Sequence, residues 1–129
     1  MIIKSFELDK LQSSNSNIHL IYGNNEGIKE DIINNIYLKT FNGEVLKYDE
    51  HEILNNRDEF ISSLLTNSLF GTSKIIIISR ATDRIVDVIN DILEREKSET
   101  KIIIKCHILE KKSKLRKLFE KENHITCTP

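Results

Sequence analysis

Cysteine occurs only twice in the 129 residues, at Cys106 and Cys127, and no apolar leader follows the opening "MIIKSFELDK". A disulfide scaffold is excluded, and the pattern points to a reducing, cytoplasmic setting rather than to secretion. Long hydrophobic runs are missing as well. The longest consists of the four isoleucines at 75–78, far too short to cross a bilayer. Charge of one sign is also lacking: nineteen basic residues stand against twenty acidic ones, a net charge of −1, so nothing at the level of the whole chain announces a nucleic-acid partner. With one proline, no tryptophan and many Ile, Asn and Lys, the composition resembles the drift of an AT-rich genome, and polar runs carry little signal. The length suits one domain with a real core.

What is present is a strict alternation. Short, nearly all-apolar β-branched runs at 17–22, 44–48, 74–79, 101–106 and 124–127 read as strands. Helical patterns near 26–40, 52–65, 82–97 and 110–122 lie between them. The expected inward faces are Ile28/Ile32/Ile33/Ile36, Phe60/Ile61/Leu64/Leu65, Ile85/Ile89/Ile92/Leu93 and Leu115/Leu118/Phe119. Such an alternation predicts a three-layer α/β domain, a five-stranded parallel sheet flanked by helices. No internal repeat or linker interrupts it.

Folds of this kind take ligands at the carboxyl ends of their strands. The stretch "LIYGNNEGIKEDIINNIYL" (20–38) has the strand, turn and helix of a P-loop. The formula G-x-x-x-x-G-K-[ST] places its second glycine, lysine and hydroxyl where this chain has Ile28, Lys29 and Glu30. Gly23 and Gly27 still permit a tight turn, and Lys29 keeps the lysine spacing. Glu30 replaces the hydroxyl that holds magnesium and brings a carboxylate near the phosphate charge. A hydrolase of this class also needs an acidic pair after the third strand, and the chain reads Ser79-Arg80 there. The expectation is therefore a strand-to-helix turn ending in a solvated Lys29, without nucleotide, cofactor or metal. Ser79 and Gly23 likewise fail the requirements of a phospho-acceptor domain.

Cys106-His107 with His124 and Cys127 offers two Cys and two His, a legitimate zinc set. Strand alternation sends Cys106 and His107 to opposite faces, however, which disfavours a common metal. The basic run 109–122 places Lys111, Lys112, Lys114, Arg116, Lys117 and Lys121 against the apolar Leu115, Leu118 and Phe119. Glu110, Glu120 and Glu122 interrupt it and no aromatics interleave, so a solvated amphipathic face is favoured over a phosphate-contacting one. Between the second helix and the third of these strands, Ser68-Leu69-Phe70 precedes Gly71. The apolar pair either caps the core or, exposed, forms a plug for a partner's pocket.

Strand, "YGNNEG" turn, helix, "SLFGTSKIIIISRA" and "KIIIKCHILEKKSKLRKLFEK" with a final "TP" together resemble the amino-terminal domain of the delta subunit of the bacterial DNA polymerase III clamp loader. The resemblance spans residues 1–129 as a single domain. It implies an AAA+-type ATPase fold that has lost its nucleotide site, with Gly23, Gly27, Lys29, Glu30, Ser79 and Arg80 as the remnants. It further implies a non-catalytic subunit that binds the ring-shaped sliding beta clamp and opens it in DNA replication. Ser68, Leu69 and Phe70 match the clamp-binding plug, while Thr66 and Asn67 depart from the Q-L-[SD]-L-F form that clamp-binding peptides often take. The implied partners are the clamp and the gamma/tau and delta prime subunits, with DNA touched only indirectly and no membrane. The family's lid and collar domains have no counterpart in these residues, so a longer protein is expected. Two other readings stand beside it: an atypical P-loop NTPase or nucleotide kinase, and a structural or regulatory α/β domain without a clamp.

Overall fold

The computed structural model describes residues 2–4, 18–23, 25–39, 41–69, 74–94, 101–109, 112–121 and 125–128. Strand β1 (Ile2–Lys4) precedes β2 (Ile18–Tyr22). Helix α1 (Glu26–Ile32) continues as a π-helical segment, Ile33–Leu38. After β3 (Glu44–Asp49) come α2 (Glu50–Asn55) and α3 (Arg57–Leu69). Strand β4 (Lys74–Ser79) leads through a 3-10 turn, Asp83–Ile85, into α4 (Val86–Glu94). The chain ends with β5 (Lys101–Cys106), α5 (Lys114–Lys121) and β6 (Ile125–Thr128).

All strand pairings are parallel, and the sheet order is β1-β6-β2-β5-β4-β3. Among the described residues the sheet thus has six strands where the alternation predicted five. All five expected strands are present, and the sixth, β1, pairs with β6 at the margin. At three residues it is too short to show a period, which is why the pattern gave no sign of it.

Parallel strands covered on both faces must be apolar on both, and this requirement explains the isoleucine runs. Leu20, Ile104 and Ile78 lie side by side across β2, β5 and β4, and all are essentially fully buried. On this face they meet Ile53 of α2, Phe60 and Leu64 of α3, Val88 and Ile89 of α4, and Leu115 and Phe119 of α5. The alternate residues Ile21, Ile75, Ile77 and Ile103 face the other way, onto Ile32, Ile33 and Tyr37. Among the described residues one helical segment covers one face and four helices cover the other, so the expectation of a parallel sheet flanked by helices holds. Full burial of each such side chain contributes about 1.5–3 kcal/mol. Arg57 at the start of α3 fastens that layer to α4, donating to the Asp87 carbonyl at 3.2 Å and pairing with Asp91.

Several expected elements shift. The helix predicted over 52–65 is two helices, broken at Asn56, whose φ of −132° and ψ of 44° leave the helical region. The second of them runs on to Leu69, so Ser68 and Leu69 belong to its last turn rather than to a loop. The helix predicted from 110 begins only at Lys114, because Ser113 accepts from the Arg116 amide at 3.3 Å as its cap. On α1 the inward positions include Ile32 and Ile33 as expected, but not Ile28, and the Ile36 side chain lies outside the described residues. Ile28 is 38% exposed, whereas Lys29, Ile32, Ile33 and Tyr37 are buried. Lys29 takes the inward position of the first turn, and at helical spacing Ile32, Ile33 and Tyr37 follow it.

This phase has a measurable consequence. Ile33→Ala should lower the unfolding free energy by about 2–5 kcal/mol in urea titration, and Ile28→Ala by no more than about 0.5 kcal/mol. A comparable loss at Ile28 would contradict the observed helix phase.

Candidate functional site

The connections out of β2 and β5 diverge: one leads toward β3 on one side, the other passes over β2 to reach β6 on the other. Their carboxyl ends therefore flank the switch point where doubly wound sheets open a crevice for ligands. Gly23, just past β2, has a φ of 141°, a conformation that side-chain-bearing residues rarely adopt, and its amide donates to the His107 carbonyl at 3.2 Å. Asn25 then caps α1 by accepting from the Ile28 amide at 3.1 Å. Gly27 is not required by this turn. It lies inside α1, where an added Cβ would meet nothing nearer than Asn25 Oδ1 at 3.4 Å.

Lys29 corrects the expectation of a solvated lysine, since its residue is 1% exposed. Its ammonium donates to the carbonyl of Gly23 at 3.1 Å and to that of Cys106 at 2.7 Å, and it pairs with Glu26. An ammonium has three N–H donors, and here three acceptors meet it. The lysine therefore bridges the ends of the two strands that border the crevice. The Lys29 hydrogen bond holds the Glu26 carboxyl below its usual range, so Glu26 stays charged. Glu30 faces outward and pairs with Lys105.

Above this bridge lies a cleft of about 210 Å³ lined by Glu26, Ser79, Arg80, Lys105, Cys106 and His107. Its carboxylate is already engaged: besides Lys29, Lys105 lies 3.9 Å from Glu26, and His107 Nδ1 lies 3.7 Å from it. Cys106 turns inward, and burial first, then the Glu50 charge, pushes its thiol up to about 12. His107 is exposed, so the two neighbours do part as alternation required. His124 and the Cys127 side chain lie outside the described residues.

Ser79 closes β4 half-buried, and Arg80 follows in the left-handed region at a φ of 56°. Its guanidinium pairs with Asp49 at the end of β3, and that hydrogen bond holds it above its usual pKa. Two adjacent acids at a strand end do occur here, but at β3: Asp49, its last residue, and Glu50. Asp49 is spent on Arg80. Glu50 is buried, accepting from the Thr82 hydroxyl at 2.8 Å and from the Thr82 amide. The sequence did not mark the Asp49-Glu50 pair or the burial of Lys29 and Glu50, because it records residue types, while burial follows from the three-dimensional meeting of strand ends.

The basic helix is not a uniform cationic face either. Arg116 turns back onto the protein, donating to the Leu109 carbonyl at 3.1 Å and lying 5.5 Å from the Tyr22 ring centroid. Lys111 and the side chain of Lys121 lie outside the described residues. His19 is a further residue that the pattern hid inside an apolar strand. It is buried, and its Nδ1 lies 2.9 Å from the Tyr37 hydroxyl. Of the three residues expected to form a plug, Ser68 and Leu69 have a described backbone only, and Phe70 lies outside the described residues.

The fold and site define a doubly wound α/β domain whose switch-point crevice is bridged from within by a lysine and whose strand-end acids are engaged internally. A family model described as DNA polymerase III, delta subunit, matches residues 19–128, and the chain belongs to that family. It is thereby placed among the clamp-loader subunits that serve DNA replication. Comparison with individual curated proteins returns no match. Among the described residues no helix is long and apolar enough to cross a membrane.

The bridge can be tested by stability. Removing the ammonium in Lys29→Met leaves two strand-end carbonyls without its hydrogen bonds, at roughly 1–3 kcal/mol each. Urea unfolding should show a loss of roughly 2–6 kcal/mol, against no more than about 0.5 kcal/mol for Lys117→Met on the exposed face of α5. Equal losses for the two variants would show that the bridge carries no stability.

Proposed function

We propose that the chain is the non-catalytic, AAA+-type domain of a clamp-loader delta subunit, which binds the sliding beta clamp and opens it without using nucleotide. The observation that carries the non-catalytic part is the Lys29 bridge, because the lysine that a P-loop directs at phosphate has all three donors committed within the protein. Glu30 at the magnesium-ligand position and Ser79-Arg80 in place of the acidic pair support the same reading of Gly23 to Glu30 as a degenerate nucleotide site. Ser68, Leu69 and Phe70 are assigned as the clamp-binding plug, leaving from the end of α3. The gamma/tau and delta prime subunits are the further partners, DNA is reached only through the assembly, and the setting is the cytoplasm. These residues would form the amino-terminal domain of a longer subunit.

A domain that hydrolyses nothing opens a ring only by binding the open or loosened form more tightly than the closed one. The plug gives affinity without preference, so a second contact, from α1 or the turn around Asn24 to Lys29, would fit the clamp only once its interface relaxes.

Titration with the clamp of the same organism tests both parts. Leu69→Ala/Phe70→Ala should lose roughly 3–6 kcal/mol, about a hundredfold or more in affinity, with an unchanged thermal transition. A clamp mutated to be monomeric should bind the unmutated chain more tightly than the ring does. Collapse of the thermal transition with unchanged binding per folded molecule would make the pair core, and equal affinities for monomer and ring would make the domain a tether.

A further inference from the structure

Strand β3 is a margin of the sheet, and among the described residues its one strand neighbour is β4. Every second residue of a margin strand turns its N–H and C=O outward, where the sheet offers them no partner. The Asp49 amide marks that side, because it donates to Glu52 Oε1 at 3.2 Å and so takes no part in the ladder with β4. By the same alternation Val45 and Lys47 turn their backbone groups outward, and both residues are exposed. A groove of about 270 Å³ adjoins this edge. Tyr48 is the one strand residue that lines it, while α2 contributes Glu52 and Ile53, and α3 contributes Glu59 and Phe60. The Tyr48 and Phe60 rings meet edge to face with centroids 5.5 Å apart. No lysine, arginine or histidine is among the described lining residues, and Glu59 enters no ion pair there.

We propose that β3 takes up an extended basic segment of a partner protein as an added strand, with an arginine of that segment set in the groove against Glu59 and the Tyr48 ring. In strand addition the backbone supplies affinity and alternate side chains supply specificity. Both parts are present: an open edge at Val45 and Lys47, and a groove with an unpaired carboxylate on the face to which Tyr48 points. A guanidinium suits that groove, since it makes paired hydrogen bonds with a carboxylate and stacks on aromatic rings. A second copy of this chain does not, because the side chains that β3 carries on this face are Glu44, Leu46 and Tyr48, while Lys47 projects to the other. A nucleic acid is disfavoured as well, since Glu52 and Glu59 would repel its phosphates. The groove adjoins the first half of α3, away from its Ser68-Leu69 end, so this contact stands or falls independently of the plug.

The probe is a fluorescein-labelled peptide of sequence Thr-Arg-Val-Arg-Thr, followed by fluorescence anisotropy with the 129-residue chain. Saturable binding is expected below about 1 mM, weakened about tenfold or more by Glu59→Lys at an exposed position of α3. If that variant melts early, a probe with citrulline, which is neutral, in place of both arginines reads the same ion pair on the unmutated chain and should bind about tenfold more weakly. The added strand has its own signature. Of two further probes, one N-methylated on both arginine amides and one on the valine and final threonine amides, only one should lose about tenfold or more, because alternate amides of a strand point to opposite sides. Absence of saturable binding, an unchanged affinity for the citrulline probe, or equal affinities of the two methylated probes would overturn the proposal.

Discussion

One buried ammonium organises the end of this sheet where ligands would otherwise enter. Lys29 stands on the first turn of α1 and reaches the carbonyls of Gly23 and Cys106, which terminate two adjacent parallel strands. Backbone groups at strand ends have no further ladder partners, and buried ones must be satisfied by something. In a nucleotide-binding relative of this architecture, phosphate and metal would draw the lysine outward. Here the protein's own carbonyls take that place, and Glu26 completes the set. The choice also sets the rotation of α1, since a lysine turned inward brings Ile32, Ile33 and Tyr37 onto the sheet and leaves Ile28 outside.

A second internal lock lies two strands away. Buried Glu50 follows β3 directly and holds both the amide and the hydroxyl of Thr82, at the mouth of the turn that begins α4. Arg80 and Asp49 pair above it. Burial of an unpaired charge costs several kcal/mol, so such groups persist in a core only with partners of this kind. The end of the sheet is thus met by intramolecular contacts at both β2/β5 and β3/β4.

The sequence disclosed the layers and the strands because fully buried parallel strands are written as uninterrupted β-branched runs, as in Ile75 to Ile78 and Ile102 to Ile104. It also placed Glu30, Ser79 and Arg80 where the P-loop formula and an acidic pair would need other residues, and these differ in kind from what phosphate chemistry requires. It concealed the destination of Lys29, since a long cationic side chain is usually solvated and nothing at positions 23–29 records that two carbonyls wait within reach. It likewise concealed β1, whose three residues carry no period, and the break at Asn56, which divides one amphipathic pattern into two helices. Ser68 to Phe70 drew notice only as an apolar pair beside a glycine, and their role comes from resemblance rather than from any local rule.

We propose that the switch-point crevice, bridged from within by Lys29, takes no nucleotide. Calorimetric titration of the 129-residue chain with a nonhydrolysable ATP analogue and magnesium tests it most directly. The account predicts no saturable, magnesium-dependent heat at analogue concentrations up to about 1 mM. Magnesium-dependent binding in the micromolar range would contradict it, because Lys29 would then have to leave the strand ends for the phosphates.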